Sequence, residues 1–305
     1  MVSPGQPPAA IVSTPSVLPV DIDTLDLADV AGDPSRRRPV LVDRDLLVLT
    51  TGGHGDAEVD FQPLPCRPGT LLRVRVGQVL RCPCPQLDAT VVRWEAGALS
   101  GLQVDPDAVP TWRQLAGEDE DAVISEVSQL AVDCARHRGV PAAQPLLRHQ
   151  LAVLLLRLAL AGQDRHPAAR PEQDTFDRFC REVERDYQRT RRVEDYAARL
   201  ACSVRTLTRA CLAVTGRSAK QVIDDRVALQ ASRLLAATDE PVARIGRHLG
   251  FSEPTNFGRF FAREVGVSPG AFRAARDEPP PAAIVRPRPP AEPPRALPAP
   301  SRSLR

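Results

Sequence analysis

GFSEPTNFGRFF, residues 250–261, joins a Gly-Phe-Ser corner to a helix that carries three phenylalanines. Aromatic residues are only 4% of the chain, so this concentration is a local anchor. Gly250 can take positive φ and end a preceding helix at low cost. Ser252 is expected to cap the following helix with its hydroxyl. Pro254 falls in the first turn, where a missing N–H matters little. Leu249 and Phe251 can pack beneath Phe257 and Phe261, which are one helical turn apart. The opposite face carries Pro254, Thr255, Asn256 and Arg259, with Arg263 a turn later. One side is fixed firmly and the other is left small, polar and bare.

Working outward, the same design occurs twice. The first copy is VEDYAARLACSVRTLTRACLAVTGRS, residues 193–218, and the second is PVARIGRHLGFSEPTNFGRFFAREVGVSP, residues 241–269. Each has a short helix with a small residue near its middle, Ala197 or Gly246. A tight corner follows, Ala201-Cys202 or Gly250-Phe251, then a serine, Ser203 or Ser252, expected at the N-cap of a second helix. That helix stops at Gly216 or Gly266. Leu207 and Cys211 supply the buried side of the first copy, whose bare side presents Arg205, Thr208 and Arg209. A long helix from about Ser218 to Thr238 joins the copies. This is a helix-turn-helix used twice. Its exposed residue types suit a DNA major groove: arginine reads guanine bidentately, asparagine reads adenine, and threonine offers a methyl and a hydroxyl.

Charge agrees with that direction. The net charge of +2 conceals a split: residues 174–276 hold 19 Arg/Lys against 13 Asp/Glu, whereas residues 1–173 hold 16 against 22. A basic C-terminal unit beside an acidic N-terminal one fits a polyanionic partner for the former. Lys220 is the only lysine; together with abundant Ala and Pro this points to GC-rich codons rather than to selection for guanidinium.

On Leu207–Arg209, Gly216-Arg217-Ser218, Arg226 through Ala231 to Leu235, and IGRHLGFSEPTNFGRFFAREVGVSPGAFR (245–273), the C-terminal hundred residues resemble the AraC/XylS family of bacterial transcription regulators. The resemblance implies two recognition helices entering successive major-groove segments, with the linking helix setting their separation. The base-facing positions it implies are Arg205, Thr208 and Arg209, then Pro254, Thr255, Asn256 and Arg259. Cys211, Gly246 and Pro254 depart from the family pattern.

The N-terminal half has period-two runs broken by Gly/Pro turns, from Leu46 through ATVVRW (89–94), and so reads as short strands of a sandwich or barrel. CRPGTLLRVRVGQVLRCP (66–83) resembles, more loosely, the cupin-like domain of the same family. Leu72, Val74, Val91 and Trp94 are either pocket-lining or plain core. Enzymatic cupins carry a His-x-His pair; Val79 and Leu80 stand in that neighbourhood here, and His54 reads as a loop residue. Cys82-Pro-Cys84 lacks a second ligand pair nearby, so neither metal nor cofactor is expected. Apolar residues at helical spacing over 121–139 and 146–160 give two flanking helices. The second is apolar around more than one face, which suggests a subunit contact.

The expectation is an α+β chain of two domains: a cupin-like β-barrel with two flanking helices, then an all-α double helix-turn-helix domain. Its parts are a flexible arm (1–38), an effector-binding and dimerisation domain (39–162), a linker (163–173), the DNA-binding domain (174–276) and a disordered Pro-rich tail (277–305). The expected role is an effector-responsive, sequence-specific regulator on double-stranded promoter DNA. It would be a homodimer, and would engage RNA polymerase if an activator. The effector and its site are left open. With neither a secretory signal nor a spanning segment, it is expected to be cytoplasmic, away from membranes. The competing reading is a cupin-type small-molecule binder or enzyme with a merely structural helical domain.

Overall fold

A computed structural model describes residues 22–31, 38–163 and 171–277. The N-terminal half runs β1 (Ile22–Asp26), α1 (Leu27–Ala31), β2 (Val40–Leu41), β3 (Asp45–Gly52), β4 (Gly55–Val59), β5 (Gln62–Cys66), β6 (Thr70–Val74), β7 (Val79–Arg81), β8 (Asp88–Trp94), β9 (Trp112–Gln114), α2 (Glu118–Arg136) and α3 (Gln144–Gln163). Five strands form one antiparallel sheet in the order β1-β8-β3-β6-β9, and four form another, β2-β7-β4-β5.

Strand alternation builds two cores from the five-stranded sheet. Leu46, Val48, Leu72, Val74 and Val91 face the smaller sheet with Ala57, Val59 and Leu80. Leu47, Leu49, Leu71, Val92 and Trp94 face α2 and α3, meeting Val123, Val127, Leu151 and Leu155. Leu72, Val74 and Val91 are thus inter-sheet core, whereas Trp94 lies on the helix side. A sheet covered on both faces explains the unbroken apolar run LLVL in β3. It also explains Arg73, which is buried: its guanidinium donates to Asp45 at 2.9 Å and lies over the Trp94 ring.

The expected barrel is two facing sheets that do not close. Pro63 and Pro65 in β5 lack N–H donors and keep that strand at an edge. Between this edge and β9 a side chain makes the link: the Trp112 indole donates to the Pro65 carbonyl at 2.7 Å.

Residues 22–31 correct the expectation of an arm over 1–38. β1 pairs with β8 from Ile22↔Trp94 to Asp26↔Thr90, and Leu27 and Ala31 of α1 are buried. The segment DIDTLDLADVA is half acidic or polar, which hides its apolar positions from a reading of periodicity. The rest of the arm, residues 1–21 and 32–37, lies outside the described residues, as do 164–170 of the linker and 278–305 of the tail.

The C-terminal half is all helical: α4 (Pro171–Asp186), α5 (Val193–Arg199), α6 (Val204–Thr215), α7 (Ala219–Ala237), α8 (Val242–His248), α9 (Pro254–Val265) and α10 (Pro269–Asp277). α4 therefore begins inside the expected linker. One core runs through all these helices up to α9, with α10's Phe272 packed against it. The halves meet at the β4–β5 turn. Asp60 receives two hydrogen bonds from Arg233 of α7, at 2.7 and 2.8 Å. Phe61 sets its ring edge-on to Phe272 of α10, and Arg276 lies over it at 4.8 Å.

Candidate nucleic-acid interface

The two helix-turn-helix copies share their corner at the level of single hydrogen bonds. After α5, Cys202 N–H donates to the Ala197 carbonyl and Ala201 N–H to Ala198; after α8, Phe251 N–H donates to Gly246 and Gly250 N–H to Arg247. This satisfies carbonyls that a helix end would leave free, and it requires a left-handed residue. Gly250 provides it at φ +81°, whereas Ala201 adopts +52° despite its Cβ. That departure costs the first copy about 1–2 kcal/mol.

The caps differ between copies. The Ser203 hydroxyl accepts from Thr206 N–H at 3.0 Å, as expected. Ser252 does not cap α9: the N-cap is Glu253, and its side chain makes no cap bond. Pro254 at the first helical position removes one of the free donors, so less capping is needed there.

Buried faces fix both helices. Leu207, Ala210 and Cys211 anchor α6; Phe257, Phe260 and Phe261 anchor α9. Burial pushes the Cys211 thiol up to about 11, so it acts as a small apolar group. Phe251 meets Phe257 and Phe260 with ring centroids 5.3 and 5.1 Å apart. Gly246 lets α8 and α9 touch: a Cβ there would lie 3.0 Å from the Phe257 Cβ and Cγ. In the first copy the matching positions are Ala197 and the smaller Leu207, both in the same core. Gly246→Ala is accordingly expected to lower stability by about 1–3 kcal/mol through overpacking, measured by thermal unfolding. A melting temperature equal to the parent would refute that role for the glycine.

The opposite faces are bare. Arg205 and Arg209 are exposed and Thr208 is half-buried on α6; Pro254, Thr255, Asn256 and Arg259 are exposed on α9. Among the described residues, Arg205, Arg209 and Arg259 have no carboxylate or hydrogen-bonding partner. Arginines behind them are neutralised: Arg226 by Glu184, Arg233 by Asp60, Arg199 by Asp186 and Arg217 by Asp225. Arg263, grouped with the bare face from sequence, differs; it pairs with Glu264 at 2.7 Å and approaches Asp224 at 3.8 Å. Arg244 and Arg247 of α8 are two further exposed arginines without a carboxylate partner among the described residues. Nothing in their spacing distinguished them in the sequence.

Two corner-matched units, joined by one helix and presenting unpaired guanidinium groups on the second helix of each, define a double helix-turn-helix domain. A helix-turn-helix domain model matches residues 196–275. The HTH-type transcriptional activator RhaR of Klebsiella pneumoniae is 31% identical over 193 residues, 62% of this chain and 66% of that one. The arabinose operon regulatory protein of Escherichia coli K12 is 42% identical over 55 residues, 18% of each chain. The chain thus spans just under two thirds of the first relative and far less of the second. Fatty-acid-bound ToxT from Vibrio cholerae aligns over 83% of this chain and 94% of its own at 13% identity, with a TM-score of 0.45. The C-terminal domain is thus a helix-turn-helix domain of the AraC type, similar in sequence to these regulators.

Proposed function

We propose that the protein is a sequence-specific regulator of transcription, placing α6 and α9 in successive major-groove segments of promoter DNA. The observation that carries this reading is the pair of bare recognition faces, whose arginines are unpaired while those behind them are neutralised. In this reading Arg205, Thr208 and Arg209 serve one groove segment, and Pro254, Thr255, Asn256 and Arg259 the next. Arg244 and Arg247 serve phosphates, and Arg263 reaches a phosphate only by giving up Glu264. The protein acts in the cytoplasm and performs no catalysis of its own. If it activates, RNA polymerase is a further partner.

The N-terminal half would hold a small-molecule effector. A cleft of about 410 Å³ at one end of the facing sheets is lined by Leu27, Ala31, Cys82, Cys84, Leu87 and Asp88, among others. Its size and mixed lining suit a small, partly polar molecule. Burial raises the Cys82 thiol to about 12, which makes it a wall rather than a nucleophile or ligand. Among the described residues no group of three His, Cys, Asp or Glu is placed to hold a metal ion. No helix there is long and apolar enough to cross a membrane.

A homodimer is supported by α3. Its exposed residues Leu146, His149, Val153, Leu156 and Leu160 recur at alternating spacings of three and four, the seam of a helix pair. Leu160 is 64% exposed, too apolar a position to leave uncovered.

The test is sequencing of genomic fragments retained by the protein at moderate salt. The expected result is enrichment of a few sites with two shared patches about one helical turn apart. On such a site, Arg209→Ala and Arg259→Ala should each cost about 1–3 kcal/mol and relax base preference within one patch only. Unchanged footprints for both variants would remove these residues from the interface. Retention of no fragment would favour the competing reading, a small-molecule binder with a structural helical domain.

A further inference from the structure

We propose that Arg191 is a positioning residue that clamps the first helix-turn-helix unit to the second, holding the two recognition helices at one separation. The inference rests on the DNA-reading function above. Arg191 lies in the loop between α4 and α5, at the entry to the first unit. Its guanidinium sits 3.6 Å from the centre of the Phe251 ring and 5.5 Å from that of Phe260, both in the second unit. It donates to the Leu249 carbonyl at the end of α8. A cation stacked on an aromatic face and bonded to a helix C-terminus satisfies two preferences at once.

The loop that carries Arg191 is itself held. The Tyr196 hydroxyl donates to the Thr190 carbonyl at 2.9 Å, and the Thr190 hydroxyl donates to Asp195. Thr190 and Arg189 N–H groups both donate to the Asp186 carbonyl. The second unit approaches so closely that a Cβ on Gly250 would lie 2.8 Å from the Gln188 carbonyl oxygen. Gly250 therefore has two duties, the positive φ of the corner and room for this loop.

The consequence is mechanical. α7 packs against both units and is their covalent link. One packed helix alone leaves each unit free to rock about it. A second attachment, remote from α7 in sequence, closes the triangle and fixes the angle between α6 and α9. For a protein reading two patches, the second insertion is intramolecular, and its gain depends on how well the fixed geometry matches the site. A stiff link favours the matched spacing and penalises every other; a loose one does neither.

The experiment uses the full chain and duplexes built from a retained genomic site. One duplex has both patches, one has a base pair inserted between them, and two have either patch scrambled. Arg191→Ala should lose roughly tenfold on the two-patch duplex, stay within about twofold of the parent on one-patch duplexes, and suffer less than the parent from the inserted base pair. Arg191→Lys, which keeps the charge but not the flat stack, should fall between. Equal losses on every duplex, or none, would overturn the proposal. Should Arg191→Ala unfold early, Arg191→Gln goes through the same set.

A second readout needs no DNA. Fluorophores placed at the exposed Ala213 on α6 and Ala262 on α9 should report a broader distance distribution in Arg191→Ala than in the parent. An unchanged width would sink the clamp even if DNA binding holds. A broader width in a protein that binds no duplex would leave the clamp standing and remove the DNA reading.

Discussion

Phe257→Ala is expected to destabilise the C-terminal domain by about 3–5 kcal/mol, the cost of removing a large ring from a core that cannot collapse around the gap. Phe257 is fully buried and central to its unit. It touches Gly246 across the α8–α9 crossing and shares ring contacts with Phe251 and Phe261. Collapse is blocked because α8 and α9 already meet at Gly246; there is no smaller approach to adopt. The loss should also be local in its effect on DNA. On the proposed reading, the patch assigned to α9 should lose protection in a footprint before the patch assigned to α6, since local opening begins where packing was removed. Leu207→Ala is the mirror experiment in the first unit, with an expected cost of about 2–5 kcal/mol and the reverse order of lost protection. Chemical unfolding of both variants and footprints at graded protein concentration check the two halves of the claim. Equal loss of both patches in each variant would mean that the domain opens as one body. A cost for Phe257→Ala below about 1 kcal/mol would mean that the ring is not the anchor its burial indicates.

The legibility of this molecule follows from where its signals are local. The second helix-turn-helix unit was readable because every device in it is a neighbour in sequence: Gly250 for the corner, Pro254 for the first turn, phenylalanines at helical spacing. The first unit was readable by analogy, although Ala201 bears a positive φ that its residue type does not advertise. Ser252 misled because a serine before a proline-led helix resembles a cap, while the proline itself lessens the need for one. In the N-terminal half, alternation marks strands over the stretch from β3 to β8, but neither β2 nor β9, nor which face meets which layer. Alternation puts Arg73 on the opposite face from Leu72 and Val74, yet it is buried with Asp45, because α2 and α3 cover that face too. β1 and α1 were missed through their acidic composition. Arg191 and the Asp60–Phe61 turn were invisible for a different reason. Their partners lie 58 residues away or more, and nothing in a single sequence couples such positions.

Asp60→Ala should cost about 3–5 kcal/mol, because it strands a buried cation. The side chain of Arg233 is 7% exposed and that of Asp60 13%, so this pair is a buried ionic link between the halves, unlike the exposed pair of Arg38 and Asp239. Asp60 also ties its hairpin to β7, receiving hydrogen bonds from the Gln78 side chain and from Val79 N–H. Two further variants separate these duties. Asp60→Asn tolerates the φ of +51° and keeps hydrogen-bonding capacity while removing the charge. Asp60→Leu combined with Arg233→Met removes both charges, and should recover most of the loss if the stranded guanidinium is the cause. Thermal unfolding across the set reads the result; a double variant no better than Asp60→Ala would place the cost in the hairpin instead. The neighbouring residue shows why the contact matters. Phe61 holds φ at +67°, a conformation that a bulky side chain adopts only at a cost of about 1–2 kcal/mol. Glycine would relieve that strain, so Phe61→Gly should stabilise the hairpin as an isolated turn. In the whole protein it should instead loosen the junction, since the ring that meets Phe272 and lies under Arg276 is gone. A strained turn whose tip reaches α7 and α10 is a place where the N-terminal half can act on the C-terminal half. Protease nicking between the halves, faster in Phe61→Gly than in the parent and restored by no change in the sheets themselves, is the expected sign of that coupling. Equal rates would leave the strained turn a feature of the N-terminal domain alone.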